Sequence, residues 1–131
     1  LAISSAASDV YKRQIIGADP QDLSFDPSTM SKVSIGDDNT IRELVTIHRS
    51  TESEGITKIG NGNFLMTGCH IGHDVTVGNN IIIANSCLLG GHTVVNDNAF
   101  LGGGAVFHQF VQIGSFCMIQ GNSTITKDVP T

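Results

Sequence analysis

Histidine is the side chain in this sequence best suited to proton chemistry near neutral pH, and five are present: His48, His70, His73, His92 and His108. A neutral imidazole, whose ordinary pKa is about 6.5, can accept a proton and pass it on. Asp74 directly follows His73, and a carboxylate beside an imidazole holds its tautomer and stabilises the imidazolium that forms. No serine or cysteine is marked as a nucleophile, so the simplest scheme is direct activation of a substrate hydroxyl. Steps of 18 from His73 reach Gly91, next to His92, and then Gln109, next to His108. If positions at this interval are vertical neighbours, three imidazoles line one edge. The backbone N–H of Gly91, with no side chain in the way, can then approach a developing oxyanion. Gly90-Gly91 reads equally well as a tight corner. His70 either shares this site or packs beside it.

The interval of 18 comes from a shorter beat. From Ile59 every sixth residue is apolar: Leu65, Ile71, Val77, Ile83, Leu89, Val95, Leu101, Phe107, Ile113, Ile119 and Ile125. With 40% of the chain hydrophobic, chance would fill those twelve places about twice in 100,000 trials. Glycine often follows the apolar residue, and the period fits neither a helix nor an alternating strand. It predicts an all-β fold, a hexapeptide-repeat parallel β-helix in which three hexads make one triangular coil and coils stack about 4.8 Å apart. Ile35, Ile41 and Ile47 keep the beat, giving about five coils over residues 15–131, with excursions near 19–34 and 49–55. Counted by 18, His48 aligns with Met66 and Ala84, on another side of the prism. Residues 1–14 share no register with the rest of the chain and read as a foreign leader.

The slot two places before each apolar position is mostly small or β-branched, and Cys69, Cys87 and Cys117 all occupy it. Their spacing matches neither a zinc motif nor a disulfide framework, so they read as buried thiols of a reducing cytoplasm. A net charge of −5 and a pI near 5.3 argue against nucleic acid or an anionic membrane as partner. No apolar run approaches the roughly 18 residues of a membrane span, so no stable membrane insertion is expected. Gly102-Gly-Gly104 lacks the lysine of a phosphate-binding loop and reads as a place of close approach by a ligand tail or another chain.

The motifs resemble one family, the UDP-N-acetylglucosamine O-acyltransferases that open lipid A biosynthesis. The matching stretches are Pro20-Gln-Asp-Leu23, Ile41-Arg-Glu with Val45-Thr-Ile-His-Arg49, His70-Ile-Gly-His-Asp74, Gly91-His-Thr-Val94, Val106-Phe-His-Gln-Phe110 and Lys127-Asp-Val-Pro130. The resemblance implies a left-handed solenoid, against the usual right-handed crossover, assembled as a homotrimer with sites between subunits. It implies a 3-hydroxyacyl chain carried as a phosphopantetheine thioester on acyl carrier protein, the 3-hydroxyl of UDP-N-acetylglucosamine as acceptor, and neither metal nor other cofactor. His73 is then the general base, Asp74 its orienting partner and Gly91 the oxyanion donor. Asp22, His70, His92, His108 and Gln109 line the nucleotide-sugar and pantetheine site, and Met118 and Gly121 bound the acyl tail. Two departures stand out. Ser24 replaces a lysine common in the family, and the family's C-terminal helical region has no counterpart here, so the chain reads as the solenoid part of a longer protein.

Three rival readings rest on other features. A coenzyme A-dependent acetyltransferase uses the same solenoid. A carbonic anhydrase-like trimer would hold zinc through histidines such as His70, His73 and His92, but that family spaces its paired histidines by five and here the interval is three. A non-catalytic binding solenoid would carry Thr or Asn ladders, whereas the polar positions here are varied.

Overall fold

The computed structural model of the chain describes residues 12–131 and, for residues 2–4 and 9–10, the backbone. Among these residues every regular element is a short parallel strand, and the strands form three six-stranded sheets. The first face holds Ala2–Ser4, Lys32–Ile35, Ile56–Ile59, Thr76–Val77, Val94–Val95 and Gln112–Ile113. The second runs from Asp9–Val10 to Met118–Ile119, and the third from Ile15–Ala18 through Thr46–His48, His70–Ile71, Leu88–Leu89 and Val106–Phe107 to Thr124–Ile125. From Lys58 onward, successive strands of a face are three hexads apart, as in Lys58↔Thr76↔Val94↔Gln112.

The hexad residues point to the axis. Leu65, Ile71, Ile83, Leu89, Leu101 and Ile113 are each 0% exposed, and from Ile59 onward only Ile125, in the last coil, is partly open. Burying a side chain of this size is worth roughly 1.5–3 kcal/mol, so the repeat is also the energetic core. Three places after a hexad position the chain turns its corner in the left-handed region of φ: Asp38, Asp74, Asn80, His92, Asn98, Phe110 and Asn122 all lie between +56° and +66°. Asp and Asn tolerate this conformation through local hydrogen bonding, whereas a bulky residue is strained there. Phe110 and Phe116 are therefore exposed aromatic groups at strained corners, 65% and 75% accessible.

The structure departs from several of the expectations above. Among the described residues there are six coils rather than about five, because Ser4, Val10 and Ile16 pair with Ile35, Ile41 and Ile47. These three places keep the six-residue beat, so the backbones of 2–4 and 9–10 share the register of the coils, which the sequence reading did not expect. A serine at the first place hides the pattern. Of the rest of the expected leader, residues 12–14 are described and residues 1, 5–8 and 11 lie outside the described residues. The first excursion ends at Ser31, since Lys32–Ile35 is a strand. The second inserts one extra hexad, so that Ile35 pairs with Ile59 and Ile47 with Ile71, four hexads on instead of three. A count by 18 across this insertion misplaces His48, which sits below Gly72 on the third face. Cys69 and Cys87 are buried and free, their thiols pushed up to about 12 by burial. Cys117 is only partly buried, with its Sγ 3.1 Å from the Pro130 carbonyl oxygen.

The polar corners are more regular than the sequence suggests. Between the first and second faces, Asp37, Asn61 and Asn79 each donate a backbone N–H to the side chain one coil on, Asn61, Asn79 and Asp97, at 2.7–2.8 Å. Inside, buried Asn63 accepts the Ile81 N–H at 2.8 Å and donates to the Gly78 carbonyl at 2.9 Å. Replacing Asn63 with Ala strands both backbone groups, each costing roughly 1–3 kcal/mol when left unpaired and buried. A fall of that size in unfolding free energy, read from denaturant midpoints at unchanged slope, is the expected result.

Candidate functional site

The corner joining the third face to the first carries three vertical columns. One holds His73, Gly91 and Gln109, the next Asp74, His92 and Phe110, and the one before them Gly72, Gly90 and His108. The His73 Nδ1–H donates to Asp74 Oδ2 at 2.9 Å. The His92 ring lies 5.2 Å from the His73 ring, nearly perpendicular, with Nε2 3.6 Å from Asp74 Oδ2. Phe110 stacks flat on His92 at 4.5 Å and 7°. These intervals are the coil spacing.

Gly91 serves as the seat of the His73 ring. A Cβ at residue 91 would lie 2.5 Å from both Cε1 and Nε2 of His73, closer than real atoms approach. The corner is thus tight and a place of close approach at once. Among the described residues the Gly91 N–H donates no hydrogen bond, while its carbonyl accepts from Phe110.

Asp74 is the most heavily bonded side chain of the group. Ser50 Oγ donates to Oδ1, and the Thr51 N–H and hydroxyl donate to Oδ2 at 3.1 and 2.8 Å. Burial alone would raise the Asp74 carboxyl, but the bonds from Ser50, His73 and Thr51 together hold it below the usual carboxylate range. An ionised carboxylate only accepts, so His73 carries its proton on Nδ1 and leaves a bare lone pair on Nε2. Sequence reasoning misses Ser50 and Thr51 because it assigns them to a departing loop. The insertion carries the signal, since Ser50 stands four hexads before Asp74, the interval at which coils pair across it.

Arg49 anchors the first excursion over this corner. Its buried guanidinium donates to Asp19 at 2.9 Å, to Ser31 Oγ at 2.9 Å and to the Pro27 carbonyl at 3.1 Å, and it lies 4.9 Å above the Phe25 ring. The excursion thereby brings Gln21 and Asp22 to a cavity of about 530 Å³ that His73, His92, Gln109 and Phe110 also line. Asp22 is fully solvated, and hydrogen bonds from the Ser24 hydroxyl and N–H hold its carboxyl low, with a smaller contribution from nearby His73. Ser24 thus orients Asp22 in place of the charge a lysine would bring.

A second cavity, about 220 Å³, adjoins the first and is lined by Gln21, His48, His70, His73, Gly90 and Gly91 among others. His70 Nδ1 is 2.7 Å from Thr46 Oγ1, and its ring meets that of His48 edge-on at 4.6 Å. Desolvation, with smaller repulsion from His48 and His73, lowers the His70 pKa to about 4. His48 is lowered as well, chiefly by burial.

The expected row of three imidazoles is a row of two. His108 is exposed, one column away, with Nδ1 3.3 Å from the Gln109 carbonyl oxygen, and it borders neither cavity. The offset by one place within the hexad turns its side chain elsewhere. Met118, 78% exposed on the second face, and Gly121, beside Gly103 at the far corner, are not brought to this site within one chain.

The chain matches the family description "Bacterial transferase hexapeptide (six repeats)" over residues 56–91 and 92–127. It is 42% identical over 123 residues to an acyl-[acyl-carrier-protein]--UDP-N-acetylglucosamine O-acyltransferase of Campylobacter concisus, covering 93% of this chain and 47% of that protein. A Synechocystis protein of the same name is 44% identical over 121 residues, with coverage of 92% and 44%. The chain therefore spans about half the length of the curated relatives it matches. The solved structure of Francisella novicida UDP-N-acetylglucosamine acyltransferase superposes with a TM-score of 0.94 at 37% identity, over 97% of this chain and 46% of that one. The fold is accordingly the left-handed parallel β-helix.

Two outcomes test this geometry. His70 stays neutral in the fold down to about pH 4, whereas an unfolded histidine protonates below about 6.5. Across that window the unfolded chain binds more protons, so stability falls as pH falls; His70→Gln should shallow the dependence of denaturant midpoint on pH between 7 and 5. Arg49→Lys keeps the charge but loses the fork; faster amide exchange at Gln21–Ser24 than in wild type, with the coils unchanged, is the result expected.

Proposed function

The chain belongs to the bacterial transferase hexapeptide family, and we propose that it carries the acyl-transfer site of a UDP-N-acetylglucosamine O-acyltransferase, the enzyme of the first step of lipid A biosynthesis. The observation that carries this reading is the His73–Asp74 pair, seated on Gly91, with no partner on Nε2 among the described residues and His73 lining a cavity. His73 Nε2 takes the proton of the sugar 3-hydroxyl as its oxygen attacks the thioester carbonyl of a 3-hydroxyacyl chain held on acyl carrier protein. Asp74 keeps the ring in the required tautomer and offsets the positive charge it acquires. The Gly91 N–H, unspent among the described residues, receives the oxyanion of the tetrahedral intermediate. Collapse expels the pantetheine thiol, which takes the proton back from His73. The reaction needs no metal or other cofactor.

The remaining residues bind rather than react. Asp22, Gln109 and His92 face the larger cavity and suit the hydroxyls of the nucleotide sugar, and His70, held neutral, suits the smaller one. His108 lies outside both in one chain and would meet a ligand only beside a neighbour. Met118 and Gly121 also need a neighbour to bound an acyl tail at His73, so this reading takes the assembly as a homotrimer with sites between subunits. Exposed Leu88, Val106 and Phe116 give such an assembly apolar surface to cover. Among the described residues no helix is long and apolar enough to cross a membrane, and a cytoplasmic site of action accords with free thiols.

In the chain extended to the length of its relatives, His73→Ala should lower kcat by about 10²–10⁴-fold, while sedimentation still reports a trimer. Wild-type turnover would exclude His73 as the base, and a dissociated trimer would make its role structural.

A further inference from the structure

The His73 corner also has the donor set of a transition-metal site. His73, Asp74 and His92 each offer one ligand atom, and these atoms all lie within 4.8 Å of one another. His73 Nδ1 is 2.9 Å and His92 Nε2 3.6 Å from Asp74 Oδ2. With bonds of about 2.0–2.1 Å, ligand atoms around a tetrahedral zinc ion sit about 3.3 Å apart, so the two separations bracket the ideal value. The separation between the two imidazole nitrogens lies within the same 4.8 Å.

Two imidazoles and one carboxylate favour zinc-like ions over magnesium or calcium. Asp74 is fixed through Ser50 and Thr51, and Phe110 supports the His92 ring. Ligands that are oriented by surrounding groups bind metal more tightly. Two of the three, His73 and His92, also line the cavity that Asp22 and Gln109 bound.

We propose that His73, Asp74 and His92 form an inhibitory site for a divalent transition-metal ion such as Zn²⁺. The metal takes the Nδ1 lone pair, and the single proton of the neutral imidazole moves from Nδ1 to Nε2. No proton is released overall, but Nε2 becomes a donor and His73 ceases to be a base. This differs from a zinc enzyme of the carbonic anhydrase type, because the ligands come from one chain, exclude His70 and suppress the reaction. The inhibitory half rests on the acyltransferase reading; the binding half does not.

Co²⁺ titrated into the purified chain tests it. The visible absorption of four-coordinate Co²⁺ should saturate at one equivalent and disappear on adding Zn²⁺. His92→Asn, a residue that tolerates the left-handed φ of this corner, should weaken Co²⁺ binding by more than about tenfold, and Asp74→Asn should do the same. His108→Gln and Cys117→Ser should keep the spectrum. No spectrum, or one that survives in His92→Asn with unchanged affinity, overturns the site. In the extended enzyme Zn²⁺ should abolish acyl transfer and a chelator should restore it; an active enzyme that binds Co²⁺ here yet ignores Zn²⁺ overturns the inhibition. A spectrum with no acyl transfer even in metal-free enzyme supports the site and defeats the acyltransferase reading instead.

Discussion

The parallel ladder between coils is the constraint on which everything else depends. Each strand is two to four residues long and has no stability alone; it exists because its backbone pairs with a strand above and below while one side chain enters a core a single residue wide. This pairing fixes every corner residue to its vertical neighbours at one strand spacing. The site follows from it directly. Asp74, His92 and Phe110 meet because they occupy the same left-handed corner in three successive coils, and Gly91 meets His73 for the same reason in the adjoining column.

Chemistry at the corner then depends on what the excursions bring back to it. A bare solenoid would present His73 and Asp74 to water. The excursion near 49–55, which adds one hexad to the coil, returns Ser50 and Thr51 to the Asp74 carboxylate, and Arg49 at its start fixes the excursion that brings Gln21 and Asp22 over the cavity. One turn of chain thus orients the base and places the wall of the binding site. Its residues touch the reaction only through others, which is why residue type alone does not mark them.

Much of this is legible in the sequence. The beat from Ile59 to Ile125 names the fold, and its 18-residue harmonic pairs His73 with Gly91 and places His92 and Gln109 beside them. The family resemblance adds the left-handed wind and a reaction class that the relatives' names share. The errors fall where the ruler changes length. The inserted hexad shifts His48 by six places, and a serine in an otherwise apolar column conceals the first coil. His108 stands apart from the row of imidazoles for a different reason: an offset of one place within a hexad turns a side chain to another direction, a distinction that vertical spacing alone does not make. The Asp37–Asn61–Asn79–Asp97 ladder is hard to see because it mixes Asn and Asp, although both offer the same side-chain acceptor.

The acyl-transfer reading turns on the coil register holding His73 as a base, with its proton on Nδ1 facing Asp74 and Nε2 bare. Nitrogen NMR of the labelled chain at neutral pH reads this directly. The predicted result is a protonated, pyrrole-type Nδ1 and an unprotonated, pyridine-type Nε2 for His73, with the pattern disturbed when Asp74 is replaced by Asn. A proton on Nε2 in the unaltered chain would contradict it.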